Sequence, residues 1–351
     1  MSGTVTPALA VGVDIGGTKV AAGAVDRLGR IVAEVRRETP DRSTMPRVVE
    51  DLIVAEVQAV LEHPAAAGRP VVGVGIGAAG FVSADRGSVV FSPHLSWRDE
   101  PLRRRLRNRL GLPVTLDNDA NAAAWAEHRF GAGVGESRLL LVNLGTGIGG
   151  GLIIDGRLER GRHGMAGEFG HMIVVPQGRR CECGNRGCWE QYASGSAVRR
   201  EARERVLAGG PYAAELAGCC GGDPSVLRGE DVTELARAGD EASREVVAEV
   251  GRWLGLGLAN LVAALDPGTI VVGGGVSTAG DLLLEPAREA LARNLTGRGY
   301  RPVAPVRAAR LGPAAGLIGA ADLVRVDGLR GSGAPAGGAG EPGGRHRDLR
   351  P

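Results

Sequence analysis

Residues 9–25 read LAVGVDIGGTKVAAGAV. An apolar run enters Asp14, two glycines turn the chain, and a second apolar run leaves, the pattern of a strand, a tight turn and a strand. Residues 138–154, RLLLVNLGTGIGGGLII, repeat the design as an internal echo, not a tandem array. Glycines permit the sharp turn and bring successive backbone N–H groups close enough to hold phosphate oxygens. Thr18 and Thr146 add hydroxyls, and Lys19 adds an ammonium. Asp14 cannot bind phosphate itself; its expected part is to hold a hydrated Mg²⁺ that bridges phosphates. A third glycine turn, VVGGGVS at 271–277, is expected to underlie a nucleoside. One such turn passes for an ordinary hairpin, but three need a common explanation. No GxxxxGK[ST] loop occurs, and GTGIGGG does not open a helix as the dinucleotide fingerprint requires. The expected phosphate- and nucleoside-binding set is therefore Asp14, Gly16, Gly17, Thr18 and Lys19, then Gly145, Thr146 and Gly147, then Gly273, Gly274 and Gly275.

Outward from the hairpins, periodicity predicts a strand over 28–37, a helix over 46–62 and a buried strand over 70–77. A short arginine-rich helix follows over 99–110, read as a solvated face because no aromatics interleave with its cations. PVTLDNDAN gives a strand ending in Asp117, Asn118 and Asp119, with a helix from about Asn121. Further helices are predicted near 196–208, 231–238, 240–264, 281–294 and 313–325, with strands at 268–276 and 303–309. From Asp327 to the end, Gly, Pro and Arg dominate, which reads as a disordered tail over 327–351.

The span Gly164–Glu190, GMAGEFGHMIVVPQGRRCECGNRGCWE, holds His171, Cys181, Cys183 and Cys188. These are zinc-type ligands, and four protein ligands leave no open position, so the metal is expected to be structural Zn²⁺. A nucleic-acid zinc knuckle is the rival reading, but its spacing and a basic, aromatic surround are missing. The other cysteines, Cys219 and Cys220, read as surface thiols. His63, His94, His128, His163 and His346 receive no role. Gly80, closing GAAG, is expected to let the backbone approach a substrate.

The 351 residues allow two domains, 43% of them apolar and 23% charged, a globular profile. A net charge of +2 points to no polyanionic partner, so no nucleic acid is expected. Apolar runs fall short of the roughly 20 residues of a membrane span. The first residues lack a basic, signal-like segment, so a cytoplasmic location without membrane contact is expected. Of 42 basic residues only Lys19 is a lysine. Where arginine has otherwise replaced lysine, a retained one points to a site needing a compact ammonium.

The ordered set DIGGTK, GAAGF, DNDAN, LGTGIGGG, GEFGH and CECGNRGCWEQYASG resembles the ROK family (repressors, open reading frames, kinases), over roughly residues 10–326. Within it, the set is most similar to the ATP-dependent glucokinase branch of actinobacteria. The resemblance implies an α/β, two-lobed fold of the actin-like ATPase and sugar-kinase (ribonuclease H-like) type with a zinc-containing loop. The small lobe would take 8–118, with helix 313–326 packing back on it, and the large lobe 119–312. It implies ATP-dependent phosphorylation of glucose, with Asp119 as general base. Asn118, Asp119, Glu168, His171 and Glu190 would contact the sugar, with His171 dividing its ring nitrogens between zinc and sugar. Asp117 is left open, either part of the acid pair or a structural turn or cap residue. A homodimer or homotetramer is implied. Alternatives are a kinase for another hexose or amino sugar, and a sugar-responsive regulator of the same family. The regulator is the weaker expectation, since thirteen residues ahead of Asp14 are too few for a DNA-binding domain.

Overall fold

The structure, a computed structural model, describes residues 8–331. The first half runs β1 (Leu9–Ile15), β2 (Lys19–Val25), β3 (Ile31–Glu38), α1 (Pro46–Glu62), β4 (Val71–Ala78), β5 (Phe81–Val82), β6 (Val89–Phe91), β7 (Arg98–Glu100), α2 (Leu102–Leu110), β8 (Val114–Asn118) and α3 (Asp119–Phe130). The second half runs β9 (Leu139–Leu144), β10 (Ile148–Ile154), β11 (Arg157–Glu159), α4 (Glu190–Ala193), α5 (Gly195–Ala208), α6 (Ala214–Cys219), α7 (Gly229–Ala238), α8 (Glu241–Leu265), β12 (Thr269–Gly273), α9 (Asp281–Asn294), β13 (Val306–Ala308) and α10 (Ala315–Gly331).

Two five-stranded sheets carry the fold, ordered β3-β2-β1-β4-β8 and β11-β10-β9-β12-β13. Each begins with two antiparallel hairpin pairings and continues through two parallel ones, so the sheets share one plan. The internal echo in the sequence is thus the first hairpin of each sheet. A small antiparallel meander, β5-β6-β7, sits beside the first sheet.

Helices α3 and α10 lie between the sheets. One buried cluster joins Ala10 and Val25 of the first sheet to Leu139, Leu141, Ile153 and Val271 of the second through residues of both helices. The contact is close enough to exclude side chains. A Cβ at Gly12 would lie 1.9 Å from Leu317 O, one at Gly75 1.8 Å from Ala320 O, and one at Gly319 1.8 Å from Ala122 O. Backbone therefore packs on backbone, and glycine is demanded by space. Trp125 Nε1 and Arg129 Nε both donate to Asp322 Oδ2, at 2.9 and 3.1 Å, tying α3 to α10 across the seam. Glu127 is fully buried and accepts backbone N–H groups from Ala132 (2.7 Å), Arg310 (3.0 Å) and Leu311 (2.8 Å). It pins the loop that leads into α10.

Several sequence expectations change here. The tail does not begin at Asp327, because α10 continues to Gly331; residues 332–351 lie outside the described part. A single Gly328 in a helix costs only about 1 kcal/mol, less than composition suggested. The helix expected from 99 starts at Leu102, since Asp99 and Glu100 belong to β7 and Pro101 caps the helix. Its arginines are not simply solvated: Arg105 pairs with Glu50 and Glu100 at 2.8 Å each, and Arg109 pairs with Asp51 at 2.6 Å. Cys220 is not a surface thiol but a buried one, bonded to Leu216 O at 3.2 Å; Cys219 is exposed. By length and composition α8 could cross a membrane, contrary to the run-length reading. Yet 61% of that apolar window is buried inside the protein, against neighbours that include α5, α7 and α9. It is a core helix.

Candidate active site and metal cluster

Strands β1, β4 and β8 are parallel, and their carboxyl ends present Asp14, Gly77 and Asp117 in one register row. Open α/β sheets bind ligands beyond such strand ends. Asp14 is the penultimate residue of β1, just before the first hairpin turn, and its carboxylate lies against Gly316 at the start of α10, where a Cβ would come within 2.7 Å of Oδ2. Asp119 opens α3, two residues earlier than the helix start expected at Asn121, because Asn118 supplies the N-cap: its Oδ1 accepts Asn121 N–H at 3.0 Å.

Burial pushes the Asp14 carboxyl up to about 7, and the Asp119 charge pushes it the same way. Burial likewise raises Asp119, opposed by the Ala120 backbone N–H and the charge of His94. Burial raises Glu168 too; the His171 charge opposes this, while Asp119 and Glu190 add to it. Charge thus couples Asp119 to both Asp14 and Glu168. A carboxyl held above its ordinary range is a stronger base once ionised, as proton abstraction requires.

The three glycine turns are not equivalent. In the first, Gly17, Thr18 and Lys19 are exposed, and Thr39 braces the turn through Oγ1 on Gly16 O at 2.8 Å and N–H on Thr18 O at 2.9 Å. The second and third lie together: a Cβ on Gly274, at φ +84°, would meet Leu144 O at 2.4 Å. Gly195 and Ser196, at the start of α5, donate backbone N–H groups to Gly145 O and Thr146 O. Gly145, Thr146 and Gly275 remain exposed, Gly147 and Gly274 are half-buried and Gly273 is buried.

His171, Cys181, Cys183 and Cys188 come together with all four ligand atoms within 4.8 Å of one another, and this cluster could hold a metal ion. His171 Nδ1 lies 3.7 Å from Cys181 Sγ, and Cys183 Sγ lies 3.6 Å from Cys188 Sγ. The other nitrogen, Nε2, is 3.9 Å from Glu168 on the open side. Glu190 bridges this cluster and the second hairpin. Its Oε1 accepts from Cys181 Sγ at 3.0 Å, its Oε2 accepts Ile148 N–H at 3.4 Å, and Gly147 has no side chain where Oε2 lies.

Asp117 is resolved by its surroundings. It is 3% exposed and its Oδ2 accepts from Arg160 Nε (2.8 Å) and Nη2 (2.6 Å), so its carboxylate is engaged by an arginine fork. Packing alone already demands glycine at position 80: at φ +140° its Cβ would meet Phe91 O at 2.3 Å. Its carbonyl accepts from Asn118 Nδ2 at 3.1 Å. Asn118 is thereby oriented at both ends, and its side chain also hydrogen-bonds the Asp119 carboxylate.

Sequence reasoning missed His94. The imidazole lies over Gly17, where a Cβ would be 3.0 Å from its Cγ, and its charge reaches Asp119. The loop beneath is anchored by buried Ser92, Leu95 and Trp97, with Ser92 Oγ on Ala79 O at 2.8 Å. The available signal was an exposed polar tip between the buried anchors of SPHLSW.

The ROK family model matches residues 10–327. A glucokinase of Streptomyces coelicolor is 47% identical over 317 residues, covering 90% of this chain and 98% of that protein. A ROK family glucokinase from Streptomyces griseus, solved in complex with glucose and AMPPNP, superposes with a TM-score of 0.83 at 49% identity, over 91% of this chain and 99% of that one. A ROK hexokinase from Thermus thermophilus follows at a TM-score of 0.72 and 35% identity, over 92% and 99%. From its two sheets of one plan to its glycine turns and Cys/His cluster, the chain belongs to the ROK family.

Proposed function

We propose that this protein transfers the γ-phosphoryl group of ATP to the 6-hydroxyl of glucose, giving glucose 6-phosphate and ADP. The similarity to glucokinases over nine-tenths of the chain supports the substrate pair. The observation that carries the chemistry is Asp119 at the first turn of α3, a carboxyl held above its ordinary range and coupled by charge to Asp14 and Glu168. As the sugar oxygen bonds to phosphorus and the bond to the ADP oxygen breaks, Asp119 takes the hydroxyl proton. Asn118, Glu168, Glu190 and the Nε2 of His171 hold sugar hydroxyls. Glycines 16, 17, 145, 147 and 273–275, with Thr18, Thr146 and Lys19, receive the nucleotide across the space between the sheets.

The four metal-type ligands fit structural zinc. Zn–S bonds near 2.3 Å put tetrahedral ligand atoms about 3.8 Å apart, against the 3.6 and 3.7 Å observed. Bound there, zinc supplies no reaction chemistry; it fixes the tautomer and angle of His171. Asp14 fits the holder of a hydrated Mg²⁺ with the nucleotide, since its buried carboxyl shares charge repulsion with Asp119. The lobes divide between Asn118 and Asp119, and homodimers or homotetramers are proposed on family grounds. A coupled kinase assay across glucose, mannose, fructose, glucosamine and N-acetylmannosamine, with ATP and polyphosphate as donors, tests the reading. Glucose with ATP should give the highest kcat/KM; a preferred amino sugar or polyphosphate would replace it.

A further inference from the structure

We infer that Asp117 and Arg160 form a positioning clamp that sets the base Asp119 against the sugar-holding loop. Asp117 is the buried residue two before Asp119, and its two oxygens serve different partners. Oδ1 accepts the Asn118 N–H at 3.0 Å and Asn121 Nδ2 at 3.2 Å, holding the strand end and first helical turn that present Asn118 and Asp119. Oδ2 accepts two N–H groups from Arg160, which directly follows β11 of the second sheet. Arg160 is also where the sugar loop starts: its carbonyl accepts Ala166 N–H at 3.0 Å, and Glu168 lies two residues further on. One buried carboxylate thus ties the base, on the first sheet, to the substrate loop, on the second.

The clamp extends further. Arg86, from the turn between β5 and β6, lies 3.7 Å from the same Oδ2 and pairs with Asp327 of α10 at 2.8 Å. Charges alternate along Arg160, Asp117, Arg86 and Asp327, drawing on four separate elements. The loop also presses on that meander: Gly164, at φ +79°, would place a Cβ 2.5 Å from Val82 O. A pair serving stability alone has no need to sit two residues from the base and at the root of the substrate loop. A displacement near 1 Å at a reacting atom is enough to cost a hundredfold in rate. Arginine is required over lysine because two N–H groups converge on one oxygen.

This inference rests on Asp119 being the base and glucose the substrate, and its test separates the failures. Asp117→Asn and Arg160→Met, singly and together, are assayed for glucose phosphorylation at a temperature where circular dichroism shows each folded. Each single variant should lose at least tenfold in kcat/KM for glucose while KM for ATP stays within twofold, and the double variant should be no worse than either. Arg160→Lys, which keeps the charge, should still lose at least threefold. Wild-type kinetics in folded Asp117→Asn or Arg160→Lys, losses that multiply in the double variant, or an equal loss in ATP affinity would overturn the clamp. If instead Asp119→Asn keeps turnover or the wild type ignores glucose, the proposed function falls and the clamp with it. Inactive Asp119→Asn beside wild-type-like Asp117→Asn refutes the clamp alone.

Discussion

Removing the metal should weaken glucose binding without unfolding the protein. The span around the cluster has anchors of its own: Trp189 is fully buried and its N–H donates to Met172 O at 2.8 Å, Val174 N–H bonds Gly187 O at 2.9 Å, and Arg179 N–H bonds Tyr192 Oη at 2.9 Å. These bonds survive chelation, so the backbone path should too. What the metal would add is the fixed ring of His171, whose Nε2 lies 3.9 Å from Glu168. Without it two side chains must be ordered afresh when sugar binds, at about 0.5–1.5 kcal/mol each. The sum is about 1–3 kcal/mol, or roughly 5- to 150-fold in affinity. Isothermal titration of glucose into metal-loaded and chelator-stripped protein reads this directly, with metal content and melting temperature measured on the same samples. Unchanged glucose affinity in the stripped protein would refute the reasoning. Lost turnover with intact binding would instead put the metal at the reaction.

Three further outcomes follow from the same geometry. Glu127→Ala leaves three part-buried backbone N–H groups without their acceptor. At about 1–3 kcal/mol each, stability should fall by at least 3 kcal/mol in urea unfolding, and a loss under 1 kcal/mol would contradict the pinning role. Because Asp119 must be ionised to accept a proton, kcat/KM for glucose should fall on the acid side at a pH above the ordinary carboxylate range. His94→Ala should move that limb to higher pH, since the charged imidazole opposes the upward shift of Asp119; an unmoved limb would remove His94 from the site. Stability takes the opposite sign. Between 3.8 and about 7 the folded protein holds a proton on Asp14 that the unfolded chain has released, so metal-free stability should decline as pH rises through that window. A metal-free protein that gains stability there would contradict it.

The hairpins, the Cys/His cluster and most helices were legible because each is written in neighbouring residues. LAVGVDIGGTKVAAGAV contains its own strand, turn and strand, and CECGNRGC its own ligand spacing. The Asp117–Arg160 clamp was not, since its partners are 43 residues apart and meet only when the two sheets assemble. Glu127 looked like one more charge in an alanine-rich helix until the 310–311 backbone reached it. Gly73, Gly75 and Gly77 alternate along β4, placing them on one face of the strand. That pattern matches the closely laid helix α10, which the reading of 70–77 as a buried strand did not include. Cys220 was misjudged because the surrounding glycines resemble a surface loop, whereas packing against Leu216 buries it.

The base assignment at Asp119 is the centre of the account. The direct measurement is single-turnover phosphorylation of glucose by Asp119→Asn, beside glucose binding by titration on the same protein. Asparagine keeps the shape and cannot take the proton. The account predicts near-native glucose binding with turnover down by about 10² to 10⁴. Turnover within tenfold of the wild type, in protein that binds glucose normally, would contradict it.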